Sequence, residues 1–146
     1  MHFEGINPKH GNLQFITHTD HGPNADSTDI DGDGTKERPF PIPTYQAQWV
    51  RFEVSPIHST VKITDRVGLI RADGTSITGL PNLPGKTGLV YADERPVDLL
   101  GNELTYDPYG TDMEGIVKGH DGTYWMVDEY RPAIYHFSPD GILIKQ

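Results

Sequence analysis

The chain of 146 residues contains no cysteine. Disulfides, zinc–thiolate sites and cysteine nucleophiles are therefore excluded together. No apolar run approaches the roughly 18 residues that a membrane-spanning helix needs, so no membrane span is predicted. Basic residues are scarce, since 12 Lys and Arg stand against 21 Asp and Glu, for a net charge of −9. We expect such an acidic chain to bind cations and not nucleic acid.

Several catalytic motifs are missing as well. The sequence has no P-loop, no G-x-G-x-x-G and no heptad repeat, which argues against nucleotide-dependent enzymes and coiled coils. The segment GTSITG at 74–79 does not match the G-x-S-x-G nucleophile elbow. A serine hydrolase is therefore not predicted.

Glycine and proline are abundant, with 16 Gly and 12 Pro in 146 residues. About one residue in five thus interrupts regular structure, which favours an all-β chain of short strands over a helical one. Four aromatic residues at alternating strand positions are assigned to core and inter-blade packing: Trp49, Trp125, Tyr124 and Tyr135.

The sequence contains an internal repeat. Segments 3–23 and 113–132 share an apolar-Glu-Gly-Ile start, then a glycine turn, an apolar strand, and acidic residues before a proline. Two further strand candidates follow each copy. These are 48–54 and 61–70 after the first copy, and 133–138 and 142–146 after the second. The pattern predicts a four-stranded antiparallel meander, twice.

Repeated four-stranded meanders are typical of β-propeller blades. We predict one blade over 3–70 with an insertion at 18–46, a connector at 71–112, and a second blade over 113–146. The two Asp/Gly/Pro-rich long loops are expected on one face. Two blades do not close a ring, so we expect a fragment of a longer chain, or another chain that completes the ring. A single eight-stranded sandwich is the alternative.

The most distinct local motif is DIDGDG. Asp29, Asp31 and Asp33 alternate along the chain and are followed by Gly34, as in the first half of a calcium loop. Position twelve is Phe40 instead of a bidentate glutamate, so the motif is not an EF-hand. The loop is predicted to bind calcium, and a merely solvated acidic turn is the alternative.

Further oxygen ligands for that calcium could come from nearby carboxylates. Glu37 follows the motif, and Asp20 and Asp26 could fold back from the segment before it. His18 and His21 flank Asp20 on the same predicted face.

A second group of carboxylates recurs at equivalent positions of the repeat. Glu4 and Glu114 begin the first strands, and Asp128 and Glu129 end a second strand. Meander geometry places these ends around one opening, where converging carboxylates need a cation. A carboxylate there could serve as general base beside calcium. Solvated strand ends or salt bridges are the alternative.

Two arginines are candidates for binding an anionic substrate. Arg131 follows the acidic pair at 128–129, and Arg38 lies in the first insertion. Their guanidinium groups could hold a phosphate or carboxylate through forked hydrogen bonds.

A family resemblance rests on FEGI, the GPN of DHGPN, RPFPIP and the stretch DPYGTDMEGIVKGHDGTYWMVDEYRPAIYHFSPDGILI. Together these resemble the phytase-like propeller proteins, the "esterase-like activity of phytase" family. The resemblance implies an extracellular or periplasmic protein that hydrolyses a small phosphorylated or ester substrate with the help of calcium. It also implies that five residues face the channel: Glu4, Glu114, Asp128, Glu129 and Arg131. The competing hypothesis is a calcium-stabilised binding or structural module without enzymatic activity.

Overall fold

The computed structural model describes residues 1–82, 94–130 and 132–146. Within these ranges the chain forms strands, turns and irregular segments, with no helix. The ten strands are β1 (His2–Ile6), β2 (Leu13–His18), β3 (Glu37–Pro39), β4 (Gln48–Ser55), β5 (Thr60–Gly68), β6 (Arg95–Val97), β7 (Met113–Lys118), β8 (Tyr124–Asp128), β9 (Ala133–Phe137) and β10 (Leu143–Lys145). None of the described segments is a helix with the length and hydropathy to span a membrane.

Two antiparallel four-stranded sheets dominate the fold. The first has the order β1-β2-β4-β5 and the second the order β10-β9-β8-β7. In each sheet, every strand pairs with the strand before it in that repeat, so both are meanders. The prediction of an all-β chain with two four-stranded meanders is confirmed.

A third sheet was not predicted. It consists of β3 and β6, which pair in parallel and come from the first insertion and the connector. Each is only three residues long and contains a proline, Pro39 or Pro96, so neither shows the alternation that identifies a strand from sequence. The pairing ties the two long loops together.

The repeat extends to an irregularity in the backbone. The register of β1 shifts between Phe3 and Gly5, and that of β7 shifts between Met113 and Gly115. Glu4 and Glu114 are therefore the extra residues of equivalent β-bulges. A bulge redirects the side chain of its extra residue away from the regular alternation.

The main core lies between the two meanders. Trp49 of β4 packs against Tyr124 with ring centroids 4.4 Å apart, and edge-on against Phe137. Its indole Nε1 also donates to the Met126 sulfur at 3.1 Å. Trp49, Tyr124 and Tyr135 are buried as predicted. Burying aromatic surface of this size is the principal stabilising term between the sheets.

On the opposite face of each sheet, apolar side chains of the described residues are exposed. Trp125 is 43% exposed and stacks on His136, beside exposed Val127 and Ile134 of the same sheet. The first sheet exposes Phe3, Ile6, Val61 and Ile63. Trp125 thus lies outside the core of the described residues, on an outer face.

Glu4 connects the two meanders electrostatically. Its carboxylate accepts hydrogen bonds from Tyr124 Oη at 2.6 Å and Lys118 Nζ at 3.0 Å, and lies 3.6 Å from Arg51 Nε. Burial alone would raise the pKa of the Glu4 carboxyl. The hydrogen bonds from Tyr124 and Lys118 outweigh that effect and hold the pKa below its ordinary value.

We predict that Glu4→Gln lowers the free energy of unfolding by about 1 kcal/mol at pH 7, because the neutral amide no longer pairs with the charges of Lys118 and Arg51. The loss stays this small because both partners are partly exposed and water screens their charges. The pKa of Glu4 is lowered on folding, so its contribution is present above the ordinary value of 4.5 and is lost as the pH falls through the folded-state pKa. Urea denaturation of both proteins between pH 7 and pH 2 measures the difference.

The control is Glu103→Gln, because Glu103 is an exposed partner of Arg95 at 3.7 Å. It should leave the stability unchanged at every pH. A Glu4→Gln variant as stable as the parent at pH 7 would contradict the assignment.

Candidate functional site

Three carboxylates meet where β7 begins and β8 ends. Asp112 directly precedes β7, Glu114 is the bulge residue of β7, and Glu129 directly follows β8. Because Met113 pairs with Asp128, these positions lie at the same end of the sheet. Each residue offers an oxygen within 4.8 Å of the other two. Asp112, Glu114 and Glu129 are called the acidic cluster below.

Asp112 is the buried member of the acidic cluster. The residue is only 8% exposed, and its Oδ1 is shielded from solvent with no hydrogen-bond partner among the described residues. Burial raises the pKa of the Asp112 carboxyl to about 8, helped by the neighbouring carboxyl groups of Asp20, Glu129 and Glu114. Its surroundings therefore disfavour the bare anion, and a cation would stabilise it.

Asp112 also belongs to a second group, with Asp20 and His21. His21 Nε2 lies 3.8 Å from Asp20 Oδ1 and 3.8 Å from Asp112 Oδ2. One ligand atom from each of the three residues falls within 4.8 Å of the others. The two groups are therefore adjacent and share one carboxylate.

The His21 ring is held by its surroundings. Nδ1 lies 2.8 Å from the Gly22 carbonyl oxygen, which only accepts, and the Asn24 amide donates to Nε2 at 2.9 Å. Both contacts fit the tautomer that carries its proton on Nδ1. The ring also stacks near Tyr130 and meets Phe40 edge-on, each with centroids 6.3 Å apart.

A glycine permits the close packing behind His21. A Cβ built on Gly79 would lie 1.8 Å from the His21 carbonyl oxygen, so no other residue fits without moving the backbone. The Gly79 carbonyl in turn accepts from Tyr130 Oη at 3.1 Å. The connector thus supports the segment that carries Asp20 and His21.

Asp128 was predicted as a catalytic residue, but its carboxylate faces buried partners. It is 7% exposed, Oδ1 accepts from the Asp112 backbone N–H at 2.8 Å, and Oδ2 accepts from Asn82 Nδ2 at 3.2 Å. Asp128 thus positions Asp112 from behind.

Two other predicted residues, Glu4 and Arg38, lie outside the two groups. Glu4 pairs with Lys118, Tyr124 and Arg51. It was expected among the converging carboxylates, but neither group of described residues contains it. Arg38 is engaged by both carboxylate oxygens of Glu94 and donates to the Ala25 carbonyl at 3.0 Å, instead of being free for a substrate. Arg131 lies outside the described residues.

The predicted calcium loop is a separate feature. Asp29, Asp31 and Asp33 are exposed and offer oxygens within 4.8 Å of one another. The Asp29 carboxylate accepts from the backbone N–H groups of Gly32 at 2.7 Å and Gly34 at 3.0 Å. These bonds curl the segment so that its carboxylates cluster. Residues 29–34 are called the aspartate loop below.

The three carboxylates expected to complete the aspartate loop lie elsewhere. Glu37 is 3% exposed and accepts from the Ile30 N–H at 3.0 Å and from Arg95 Nη1 at 3.1 Å. Asp26 is exposed, near Arg38. Asp20 lies with His21 and Asp112. Glu37 therefore braces the loop from beneath.

Asp112 is the site residue that sequence reasoning missed. Asp112 and His2 occupy the same place in the two copies of the repeat, immediately before MEGI and FEGI. A search for acidic residues that recur in both copies passes over it for that reason. The available signal was its spacing, because Asp112 and Glu114 alternate as Asp29 and Asp31 do.

Comparison with known proteins shows the family to which the chain belongs. The family model "Phytase-like: Esterase-like activity of phytase" matches residues 5–146. An "Uncharacterized secreted protein" of Arthroderma benhamiae (strain ATCC MYA-4681 / CBS 112371) is 34% identical in an alignment 92 residues long, which covers 58% of this chain and 18% of that protein. No solved structure matches the chain significantly. The chain belongs to the phytase-like family described as esterase-like activity of phytase.

Proposed function

We propose that the protein is an extracytoplasmic, calcium-assisted phosphoester or ester hydrolase whose active site is the acidic cluster. The observation that carries the proposal is the convergence of Asp112, Glu114 and Glu129 within 4.8 Å, with Asp112 buried. Membership of the phytase-like family supports the reaction class, and the secreted relative supports the location.

The residues of the acidic cluster fit calcium by their chemistry. Calcium prefers hard oxygen ligands, and the three carboxylates supply them. The Asp112 Oδ1 is buried with no hydrogen-bond partner in the described part of the chain, and coordination of a cation would satisfy it. When bound, calcium would polarise a phosphoryl or carbonyl oxygen of the substrate and neutralise its negative charge.

The chain's own residues then have separate roles. Asp128 fixes the backbone of Asp112 and so sets the position of its carboxylate. Glu114 and Glu129 are exposed, so either can reach a water molecule and accept its proton as general base. Arg131, two residues after Glu129 in the sequence, is the candidate for binding the substrate's anionic group.

We further propose that the aspartate loop binds a second calcium ion with a structural role. Hydrogen bonds from backbone N–H groups preorganise its three carboxylates. Arg95 Nη1 lies 3.6 Å from Asp33 Oδ2 and offsets part of their negative charge. A cation there would relieve the repulsion among Asp29, Asp31 and Asp33.

We propose that the two meanders are adjacent blades of a propeller in a longer protein. The equivalent bulges at Glu4 and Glu114 and the contact between β1 and β7 support this, because first strands of neighbouring blades line a propeller's channel. The uncovered apolar outer faces are suited to further sheets, contributed by the same chain or by another. The fungal relative is much longer than this chain.

The alternative function is a calcium-stabilised binding or structural module. The aspartate loop supports it, because calcium bound by Asp29, Asp31 and Asp33, outside the acidic cluster, could stabilise the fold without contacting a substrate. The two functions differ in whether calcium supports turnover or only stability.

For the hydrolase we predict that the complete protein cleaves a chromogenic phosphoester only with calcium, and that Glu114→Gln lowers kcat by about 100-fold or more. Glu103→Gln is the matched control, since Glu103 pairs with Arg95 outside the acidic cluster. Calcium-dependent melting without turnover of any phosphoester or carboxylic ester would support the alternative function.

For the aspartate loop we predict that Asp31→Asn combined with Asp33→Asn removes one calcium-binding event in calorimetric titration. The control is Asp73→Asn, because Asp73 accepts from the Thr75 N–H at 2.9 Å much as Asp33 accepts from the Thr35 N–H at 2.7 Å. An unchanged titration of the double variant would refute calcium binding by this loop.

A further inference from the structure

We propose that Asp20, His21 and Asp112 form a second cation position, which takes a divalent transition-metal ion of the zinc type. Asp112 would then be a shared ligand, with one oxygen for this ion and one for the calcium of the acidic cluster. The inference rests on the proposed function only for the identity of that neighbouring calcium.

The donor set distinguishes this position from the acidic cluster. The acidic cluster offers carboxylate oxygens alone, which calcium prefers. The second group adds an imidazole nitrogen, a ligand that zinc and its first-row neighbours favour and calcium does not. Two adjacent groups of different donor chemistry indicate two different ions.

The distances fit one ion among the three side chains. His21 Nε2 is 3.8 Å from an oxygen of Asp20 and 3.8 Å from an oxygen of Asp112. Zinc binds nitrogen and carboxylate oxygen at about 2.0–2.2 Å, so two ligands at a tetrahedral angle lie about 3.4 Å apart. Small side-chain movements bring all three to that spacing.

The protonation pattern of His21 suits metal binding. Nδ1 lies 2.8 Å from the Gly22 carbonyl oxygen, which leaves Nε2 as the ring nitrogen that carries a lone pair. That lone pair accepts from the half-exposed Asn24 amide, so a metal ion would displace one neutral hydrogen bond. A metal-ligating histidine characteristically donates its other ring N–H to a carbonyl or carboxylate, as here.

Asp112 gives the independent indication of a ligand. The residue is 8% and its side chain 12% exposed, its Oδ2 lies 3.8 Å from His21 Nε2, and its Oδ1 is shielded with no hydrogen-bond partner among the described residues. Buried polar atoms are almost always satisfied. Positions on both sides of this carboxylate would satisfy both oxygens, in the manner of a bridging ligand of a two-metal site.

The test is equilibrium dialysis of the complete protein against zinc in the presence of saturating calcium, with both metals quantified. The parent should retain one zinc that calcium does not displace. His21→Gln and Asp20→Asn should each weaken zinc binding about 10-fold or more while calcium binding is unchanged. Glu114→Gln should do the reverse, and Asp112→Asn should weaken both.

His18→Gln is the matched control, because His18 lies near Asp20 and Glu114 but outside the group, and it should retain both metals. Asp20 is 63% exposed, so Asp20→Asn tests the site even if His21→Gln does not fold. Zinc affinity that survives both substitutions, or zinc that calcium displaces completely, would overturn the proposal. Because the readout is metal content, zinc binding without phosphoester turnover would refute only the hydrolase.

Discussion

The hydrogen bond from the Asp112 backbone N–H to Asp128 Oδ1 is the constraint on which the site depends. It joins the end of the connector to the end of β8. The Asp112 carbonyl completes the link by accepting from the Glu129 N–H at 2.9 Å. With both backbone groups engaged, the Asp112 side chain has little choice of direction. The buried Asp128 carboxylate thus fixes the backbone that carries Asp112.

The two meanders could be predicted from the sequence, because apolar and polar residues alternate along their strands and the turns between them carry glycine, proline or aspartate. The recurrence of FEGI as MEGI even marked two equivalent β-bulges. The β3–β6 sheet was not readable. Its strands are three residues long and pair with a separation of 58 residues in the sequence, so neither alternation nor a nearby turn predicts them. Trp125 showed the limit of alternation, which identifies a face but not what covers it.

The site was predicted in part for a similar reason. Repeat position predicts that Glu114 and Glu129 lie close together, since meander geometry fixes where strands begin and end, and their carboxylate oxygens lie within 4.8 Å of each other. Repeat position gives Glu4 and Glu114 the same role, but their neighbours in the structure differ. Lys118 and Tyr124 pair with Glu4 across the interface between the sheets. The partner of Arg38 was likewise hidden, since Glu94 lies 56 residues away in sequence. Electrostatic pairing depends on tertiary contacts that no local pattern contains.

The parallel pairing of β3 and β6 makes the two long loops a single mechanical unit. Arg38 binds Glu94 across it, and Arg95 binds Glu37 beneath the aspartate loop. A shortened first insertion would therefore remove the pairing partner of the connector as well. Any redesign of the aspartate loop has to leave Glu37, Arg38 and Pro39 in place, or it will disturb a region more than fifty residues further along the chain.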